Sequence, residues 1–176
     1  MPHPSPVFPG RPALFVMGVS GCGKSSIAAA LAAARNGIYV EADALHPAEN
    51  VAHMAAGQPL SDAMRLPWLR ALALHVADQQ AAHPDQQVFT ACSALKRSYR
   101  DLIRTQLPDA VFLHLSGNQA VIAARMAARQ NHFMPTSLLD SQFATLETPQ
   151  ADEAHVTVSI DGDLEQVTAA CLAALT

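Results

Sequence analysis

Gly18-Val-Ser-Gly-Cys-Gly-Lys-Ser25 matches in full the spacing Gly-x-x-x-x-Gly-Lys-Ser. An apolar run at residues 13–17 precedes this stretch and predicts a strand, and the alanine-rich residues from 24 to about 35 predict a helix. A glycine-rich turn between a strand and a helix directs backbone N–H groups, and the positive end of the helix dipole, toward one point. The stretch is therefore predicted to hold the phosphates of a nucleotide.

Each residue type in this loop suits a part of that task. Gly18, Gly21 and Gly23 keep side chains away from the space that the phosphates would fill. Lys24 is expected to reach the β- and γ-phosphates of ATP, and the Ser25 hydroxyl is expected to ligate Mg²⁺. The predicted ATP-binding set also includes Ser20, Cys22 and Ser26.

Short apolar runs recur along the chain and alternate with segments of helical character. Nearly all residues in these runs are apolar, which is typical of strands buried on both faces. The alternation predicts a five-stranded parallel sheet in a three-layer α/β/α fold of the P-loop NTP hydrolase type, with a small lid. The strands are predicted at residues 13–17, 38–41, 88–92, 111–115 and 156–160.

The helices between these strands have recognisable start and stop signals. Gly57-Gln-Pro59 is expected to break the first long helical segment, and Pro67 is expected to open its longer part. Asn118 and Asp163 are expected to cap the helices that follow them. After the first helix, helices are predicted at residues 47–83, 96–106, 118–129 and from 163 onward.

The chain of 176 residues is expected to form one domain. Residues 1–12 contain five prolines and are predicted to be a flexible extension that precedes a kinase-like domain of residues 13–176. Within that domain, residues of about 47–83 are predicted to bind the substrate. Residues of about 127–149 lie between a helix and the last strand and are predicted to form the lid.

Composition limits the partners and the cellular compartment. The formal net charge of −4 favours neither nucleic acid nor an anionic membrane surface as a partner. The three cysteines, Cys22, Cys92 and Cys171, are odd in number and far apart, which is typical of reduced thiols. The N-terminal residues lack the pattern of a signal peptide, and the chain is therefore predicted to be cytoplasmic.

The phosphate loop alone does not define the chemistry, because kinases, GTPases and motor ATPases share it. Guanine specificity would need an Asn-Lys-x-Asp run, and the sequence contains neither this run nor an Asp-x-x-Gly switch. The chain is also too short for most motor ATPases. A small-molecule kinase is favoured, and a non-enzymatic nucleotide-binding module stays open.

A kinase also needs a group that orients the attacking hydroxyl. Glu41 and Asp43 follow the second predicted strand, and strand ends carry the ligands in open α/β sheets. Residues two apart on a strand point the same way, so Glu41 is expected to serve Mg²⁺ while Asp43 faces the acceptor. The same pair is equally typical of a polar strand end and a helix cap before Pro47.

Five stretches, in order along the chain, carry a resemblance that covers nearly all of it after residue 13. They are residues 17–25; 43–47 with Asn50; 54–62 with 65–69; 92–96 with 99–101; and 125–133 with 141–143 and 146–149. Together they resemble the small P-loop gluconate kinases, which are related to shikimate and adenylate kinases. The combination of Asp-x-x-His-Pro, Arg-x-Pro-Trp-Leu and Cys-Ser-Ala-Leu-Lys is the specific part of this resemblance.

The resemblance implies an ATP-dependent enzyme that converts D-gluconate to 6-phospho-D-gluconate and assembles as a homodimer. Such an enzyme would supply the pentose phosphate or Entner-Doudoroff route. On the family pattern, Arg65 is the expected cation for the substrate carboxylate, and Lys96 and Ser93 are expected in the same crevice. His46 is expected to contact the substrate or Asp43.

Two arginines precede the predicted lid. Arg125 and Arg129 are four residues apart on a predicted helix and so share a face. The resemblance supports a role for both in closing over ATP, with Arg129 joining Lys24 and Asp43 as a catalytic residue. Arg100 is either a second cation for the substrate or a helix residue paired with an acid.

The chain departs from the family pattern at two positions. Glu41 stands where the family usually has aspartate, a change that keeps the charge on a longer arm. Met64 stands where the family tends to have an aspartate directly before the arginine. The second change removes a carboxylate near the acceptor, so a kinase of another small sugar acid or of a shikimate-like acceptor stays open.

Overall fold

The computed structural model describes residue 8 and residues 10–128 and 136–176 of the chain. Within these residues, five strands form one sheet with the order β2-β3-β1-β4-β5, and neighbouring strands are parallel. The predicted parallel sheet is confirmed, and each strand lies within one residue of its predicted ends. The strands are β1 (Leu14–Met17), β2 (Ile38–Glu41), β3 (Val88–Ala91), β4 (Val111–Ser116) and β5 (His155–Ser159).

The described part of the chain contains seven α-helices and one 3₁₀ turn, of which all but the last helix lie between strands. Asn118 Oδ1 accepts the N–H of Ala120 at 2.8 Å, and Asp163 forms a capping box with Gln166, so both predicted caps are confirmed. None of the helices in these residues is long and apolar enough to cross a membrane. They are α1 (Lys24–Ala34), the 3₁₀ turn (Ala42–Leu45), α2 (Ala48–Ala55), α3 (Asp62–Ala82), α4 (Arg97–Gln106), α5 (Gln119–Ala128), α6 (Thr136–Thr145) and α7 (Leu164–Ala174).

The helices cover both faces of the sheet. Alternate residues of β1 point to opposite sides, so Val16 packs with Leu31 of α1 while Phe15 packs with Leu72 of α3 and Ile103 of α4. The first face also packs against α5, α6 and α7. All four residues of β1 are buried, which explains why its sequence is a continuous apolar run. The predicted three-layer arrangement is confirmed.

Pro67 does not open a helix, so that prediction is wrong. Helix α3 begins at Asp62, and its N-cap is Ser61, whose Oγ accepts the N–H of Met64 at 3.3 Å. A proline at the sixth helical position cannot donate to the carbonyl of Ala63. Ala63 is exposed, and water can therefore satisfy that carbonyl. The side-chain cap sets the start of the helix, one turn earlier than the proline suggested.

Part of the predicted lid belongs to α6, which is attached to the body of the domain. Leu139 of this helix is only 1% exposed and packs into the core beside α5. Residues 129–135, including Arg129, lie outside the described residues, as do residues 1–7 and 9 of the predicted extension. The domain boundaries and the lid therefore stay predictions.

The parallel sheet brings three polar loops to one edge. The carboxyl ends of β1, β2 and β3 lie side by side, because Ala91 pairs with both Val16 and Glu41. The loops that leave these strands contain the phosphate loop, the 3₁₀ turn and residues 92–96. This edge is where open α/β sheets bind their ligands.

Candidate active site

The phosphate loop needs glycine at both ends. Gly18 has a φ of 147°, and a Cβ there would lie 2.7 Å from Cys22 Sγ and 2.9 Å from the Leu115 carbonyl oxygen. Gly23 has a φ of 96° and is the N-cap of α1, so the helix N-terminus opens directly onto the loop. The backbone geometry therefore agrees with the phosphate cradle that the motif predicts.

Two residues of the loop, Ser20 and Lys24, make hydrogen bonds through polar groups that face the site. Lys24 Nζ donates to the Val19 carbonyl oxygen at 3.1 Å. The N–H of Ser20 donates to Gln142 Oε1 at 2.5 Å, and Gln142 Nε2 donates to Ser20 Oγ at 3.1 Å. Helix α6 thus contacts the loop directly through one amide side chain.

Ser25 and Glu41, the two predicted Mg²⁺ ligands, are in direct contact. Ser25 Oγ donates to Glu41 Oε2 at 2.6 Å, and the Tyr39 hydroxyl donates to the same oxygen at 2.6 Å. Burial, together with the hydrogen bond to Glu41, raises the pKa of Tyr39, so this hydroxyl remains a donor. A hydroxyl and a carboxylate are hard oxygen ligands, and this pair fits Mg²⁺ shared with phosphate oxygens. No cluster of three His, Cys, Asp or Glu side chains suited to a metal occurs among the described residues.

Asp43 reaches the site by a different route from the one predicted. Strand β2 ends at Glu41, and Ala42–Leu45 form a 3₁₀ turn, so the strand alternation inferred from the sequence does not apply. The turn is fixed by the Ala42 carbonyl, which accepts Trp68 Nε1–H at 3.0 Å. It presents Asp43, with a side chain 83% exposed, to the same cavity as Glu41.

His46 is held on three sides. Its ring stacks on Trp68, with centroids 3.9 Å apart and an angle of 20° between the planes. Nδ1 lies 3.3 Å from the Asn50 amide nitrogen, so Nδ1 is assigned as the acceptor and Nε2 carries the proton. Nε2 is 3.8 Å from Asp43 Oδ1. Burial lowers the pKa of His46, and this outweighs the opposing effect of Asp43, so the ring is a neutral donor near pH 7.

One cavity of about 690 Å³ joins the phosphate loop to the loops after β2 and β3. Arg65 lines this cavity, and its Nε donates to the Leu60 carbonyl oxygen at 3.2 Å. The size of the cavity suits a sugar acid next to the terminal phosphate of a nucleotide. The predicted site residues that line it are Ser20, Gly21, Gly23, Lys24, Ser25, Ser26, Glu41, Asp43, His46, Arg65 and Ser93.

Lys96 is paired with an acid of α3. It is the N-cap of α4, and its Nζ lies 3.1 Å from Asp62 Oδ2. The Tyr99 hydroxyl donates to the same carboxylate, and the Tyr99 ring centroid is 5.4 Å from Lys96 Nζ. Hydrogen bonds from Tyr99 and Lys96 lower the pKa of Asp62, and the bond to Asp62 raises the pKa of Lys96. Both groups are charged near pH 7, and the substrate role of Lys96 stays a prediction.

Arg100 is a structural residue. Of the two roles considered for it, a second cation for the substrate or a helix residue paired with an acid, the structure shows the pairing with an acid. Its side chain is 0% exposed, and its Nε and Nη2 bind the Glu153 carboxylate at 2.7 and 2.9 Å. Its Nη1 donates to the carbonyl oxygens of Ala94 and Leu95 at 3.0 and 3.2 Å. The Arg100 guanidinium therefore supports the loop after β3 from beneath.

A second cavity, of about 400 Å³, lies on the other side of the phosphate loop. Gly21, Cys22 and Gly23 border it, together with residues of α1 and of the loop between β5 and α7. Arg125 also lines this cavity, and its Nη2 donates to the carbonyl oxygens of Ile160 and Gly162 at 2.7 and 2.9 Å. Its partner in the prediction, Arg129, lies outside the described residues, so the joint role of the two arginines stays a prediction.

The three cysteines are buried packing residues. Cys22 is 3% exposed beside the phosphate loop, where its Sγ sets the close approach at Gly18. Burial raises the pKa of Cys92 to about 12 and that of Cys171 to about 11. Thiols with such pKa values are poor nucleophiles at neutral pH.

Several residues of this site had no role in the sequence analysis. Gln142 and Tyr39 contact the loop and its predicted metal ligand, and Asp62 and Asn50 bind Lys96 and His46. Three of them lie within or beside the stretches that carry the family resemblance. Polar residues in those stretches were the available signal, whereas Tyr39 had none, because it reads as an ordinary strand residue.

Comparison with known proteins gives close relatives. The thermosensitive gluconokinase of Escherichia coli (strain K12) is 44% identical over 157 residues, which cover 89% of this chain and 83% of that protein. A crystal structure of a gluconokinase from Sinorhizobium meliloti 1021 matches with a TM-score of 0.85 and 43% identity, over 97% of this chain and 93% of that one. No protein-family model matches the chain.

A more distant solved structure shares the fold of this chain at much lower sequence identity. Shikimate kinase from Aquifex aeolicus vf5 has a TM-score of 0.58 but only 12% identity, over 93% of this chain and 95% of that one, which shows a shared fold alone. The predicted P-loop α/β/α architecture is thus confirmed. The identity to the two gluconokinases is much higher and extends along nearly the whole chain. The chain belongs to the gluconokinase family.

Proposed function

We propose that the chain transfers the γ-phosphoryl group of ATP to the terminal hydroxyl of D-gluconate, giving ADP and 6-phospho-D-gluconate. The observation that carries this proposal is the cavity of about 690 Å³, which has the phosphate loop on one wall and Asp43, His46 and Arg65 on another. A single cavity lets the two substrates meet without crossing solvent. The gluconokinase names of the relatives support gluconate as the acceptor.

ATP would extend across the phosphate loop, from one cavity to the other. Its phosphates would lie against the loop, where Lys24 exchanges the Val19 carbonyl for phosphate oxygens. The base would enter the second cavity, whose apolar lining includes Ile27, Ile160 and Val167. This placement directs the γ-phosphate toward the acceptor wall of the larger cavity.

Ser25 and Glu41 would hold Mg²⁺ at the loop. The ion, when bound, neutralises charge on the phosphate oxygens. Glu41 accepts hydrogen bonds from Ser25 and Tyr39, so its carboxylate is already oriented toward the loop. Tyr39 keeps this orientation when Ser25 turns its oxygen toward a metal.

The acceptor side would hold gluconate through charge and hydrogen bonds. Arg65 lines the cavity and would bind the carboxylate. Asp43 would accept the hydrogen bond of the terminal hydroxyl and align it for in-line attack. Neutral His46 would donate from Nε2 to the same hydroxyl or to Asp43. Lys96 could join only by leaving Asp62.

A coupled assay of ADP release tests the reaction. Purified protein with ATP, Mg²⁺ and D-gluconate should release ADP in proportion to gluconate, and folded protein that shows no release above background contradicts the proposal. Other sugar acids and shikimate belong in the same panel, because Met64 replaces an acid of the family pattern. ATP binding without turnover on any acceptor would indicate a nucleotide-binding module.

Asp43→Asn tests the orienting carboxylate. The change keeps size and hydrogen bonding but removes the charge, and kcat should fall by about 10²- to 10⁴-fold while ATP binding is retained. Glu49→Gln is the matched control, since Glu49 is an exposed acid on neighbouring α2. Full turnover by Asp43→Asn would remove Asp43 from this role.

We also propose that the enzyme is a homodimer, as the resemblance implies, and that it is cytoplasmic and binds neither nucleic acid nor membrane, as its net charge and cysteine usage indicate. Light scattering after size exclusion should give twice the chain mass of 18.6 kDa. A mass of one chain at micromolar concentration would contradict the dimer. Cell fractionation tests the location.

A further inference from the structure

We infer that Gln142 of α6 is a positioning residue for phosphoryl transfer, whose side-chain amide holds Ser20 and so keeps the phosphate loop in its reactive shape. The inference rests on the proposed function and adds a residue to it. The residue is remote from the phosphate loop in sequence, since Gln142 and Ser20 are 122 positions apart.

The contact between the two residues is reciprocal. Gln142 Oε1 accepts the N–H of Ser20 at 2.5 Å, and Gln142 Nε2 donates to Ser20 Oγ at 3.1 Å. One amide therefore fixes both the backbone and the side chain of Ser20. Gly18 and Gly21 flank this serine with positive φ values, and glycine-rich backbone has wide conformational freedom. A tie at Ser20 restricts the most adaptable part of the loop.

Helix α6 is a firm support for this tie. Leu139 is buried in the core, and Gln119 of α5 donates to the Asp140 carboxylate of α6. Beyond the helix, the N–H of Glu147 donates to the Leu95 carbonyl oxygen at 2.9 Å. Gln142 is thus presented to the loop from an element anchored at both ends.

The location of the contact explains why it should affect the reaction. Ser20 and Gln142 both line the cavity that also contains Asp43 and Arg65. The transferred group would move across this cavity, past donors that must already be aligned. Loss of the tie should therefore reduce the rate of transfer more than the binding of the acceptor.

Gln142→Met is the main variant, because methionine keeps the length and shape of glutamine but makes neither strong hydrogen bond. We expect kcat to fall on the order of tenfold, with the gluconate KM changed less than about twofold. Ser20→Ala removes only the Oγ contact and should lose less. In the double variant the effects should not add, because both changes break the same contact.

Gln119→Ala is the control for anchorage of α6. It removes the bond to Asp140 but leaves the amide of Gln142 in place, and it should keep wild-type kcat. Equal losses of kcat in Gln119→Ala and Gln142→Met would overturn the inference. Wild-type kcat in Gln142→Met would also overturn the inference. So would a lower ATP KM at unchanged kcat in that variant, because it would mean that the Gln142 amide competes with the phosphates for Ser20.

Amide hydrogen exchange of the purified full chain gives a readout that needs no acceptor. In Gln142→Met, the peptide that contains residues 18–23 should exchange on the order of tenfold faster than in wild type, and the peptide of β4 should be unchanged. Unchanged exchange in the loop would overturn the inference. If wild type fails to phosphorylate gluconate, the proposed function fails, and this exchange measurement still decides whether Gln142 orders the loop.

Discussion

Replacing Glu153 with glutamine removes the charge that compensates Arg100 in the interior, where the two side chains are 1% and 0% exposed. Arg100 cannot lose its proton, so its charge would remain buried without a counter-charge. Breaking such a pair from one side destabilises proteins by about 3–5 kcal/mol. In a domain of this size the loss corresponds to a decrease in Tm of about 6–20 °C.

The pKa of Glu153 gives a second way to work out the free energy that the pair contributes to folding. Burial alone would raise this pKa, but hydrogen bonds from Arg100, from the Gln150 N–H and from Arg104 outweigh burial and lower it to about 2. Compared with an ordinary value of 4.5, this corresponds to about 3 kcal/mol. Because the folded pKa is below the unfolded one, the stabilisation is complete above about pH 4.5 and is lost as the pH falls toward 2.

Urea unfolding of wild type and Glu153→Gln at pH 7 and pH 3.5 measures both effects. The difference in free energy of unfolding should be about 3 kcal/mol at pH 7 and smaller by roughly 1 kcal/mol at pH 3.5. Asp152→Asn is the matched control, because the Arg97–Asp152 pair at 2.8 Å is 40% and 65% exposed, so solvent screens it and its loss should be much smaller than that of Glu153→Gln. If Glu153→Gln lost less than about 1 kcal/mol of unfolding free energy at pH 7, or lost the same amount at both pH values, the result would refute the reasoning.

Three further changes test the metal site, the base site and the core. Glu41→Gln should raise the Mg²⁺ concentration at half-maximal rate by about 10- to 100-fold, and a wild-type Mg²⁺ response would exclude Glu41 from the site. Leu164→Ser shortens a side chain that is 52% exposed beside the second cavity, so the ATP KM should rise about fivefold at unchanged Tm; an unchanged KM would place the base elsewhere. Thr90→Val replaces a buried hydroxyl that has no hydrogen-bond partner in the described residues, and urea unfolding should show a gain of about 1 kcal/mol; a loss would reveal a bound water.

The features that the sequence predicted well depend on neighbours along the chain. Gly18 and Gly23 are separated by four residues, and their positive φ values follow from the turn that joins β1 to α1. Parallel strands buried on both faces leave apolar runs that need no knowledge of their partners. Asn118 and Asp163 cap helices through bonds that reach only two or three residues ahead. Local physics was therefore enough for the fold and for the phosphate loop.

The features that the sequence could not predict depend on residues far apart along the chain. Lys96 binds Asp62, 34 positions away, and this pairing holds the lysine side chain against the first residue of α3. Ser20 binds Gln142, 122 positions away, and no periodic pattern links the two. Even the common cavity of Glu41 and Asp43 arises from the 3₁₀ turn, which the strand pattern gave no reason to expect.

Arg100 shows that the site for the acceptor depends more on distant contacts than the site for the nucleotide does. Its guanidinium holds the carbonyls of Ala94, which has a φ of 42°, and of Leu95, and these residues lie between Ser93 and Lys96. The loop after β3, whose Ser93 lines the larger cavity and forms part of the acceptor wall, is therefore shaped by the buried pair of Arg100 with Glu153, which lies far along the chain. In the described part of the chain, the side-chain hydrogen bonds of Arg100 and Glu153 reach the loop after β3, Arg104 and Gln150, and none of them reaches the phosphate loop. A change far from the cavity can therefore alter the acceptor wall while the nucleotide cradle stays intact, which is how one fold can keep ATP and change the molecule that it phosphorylates.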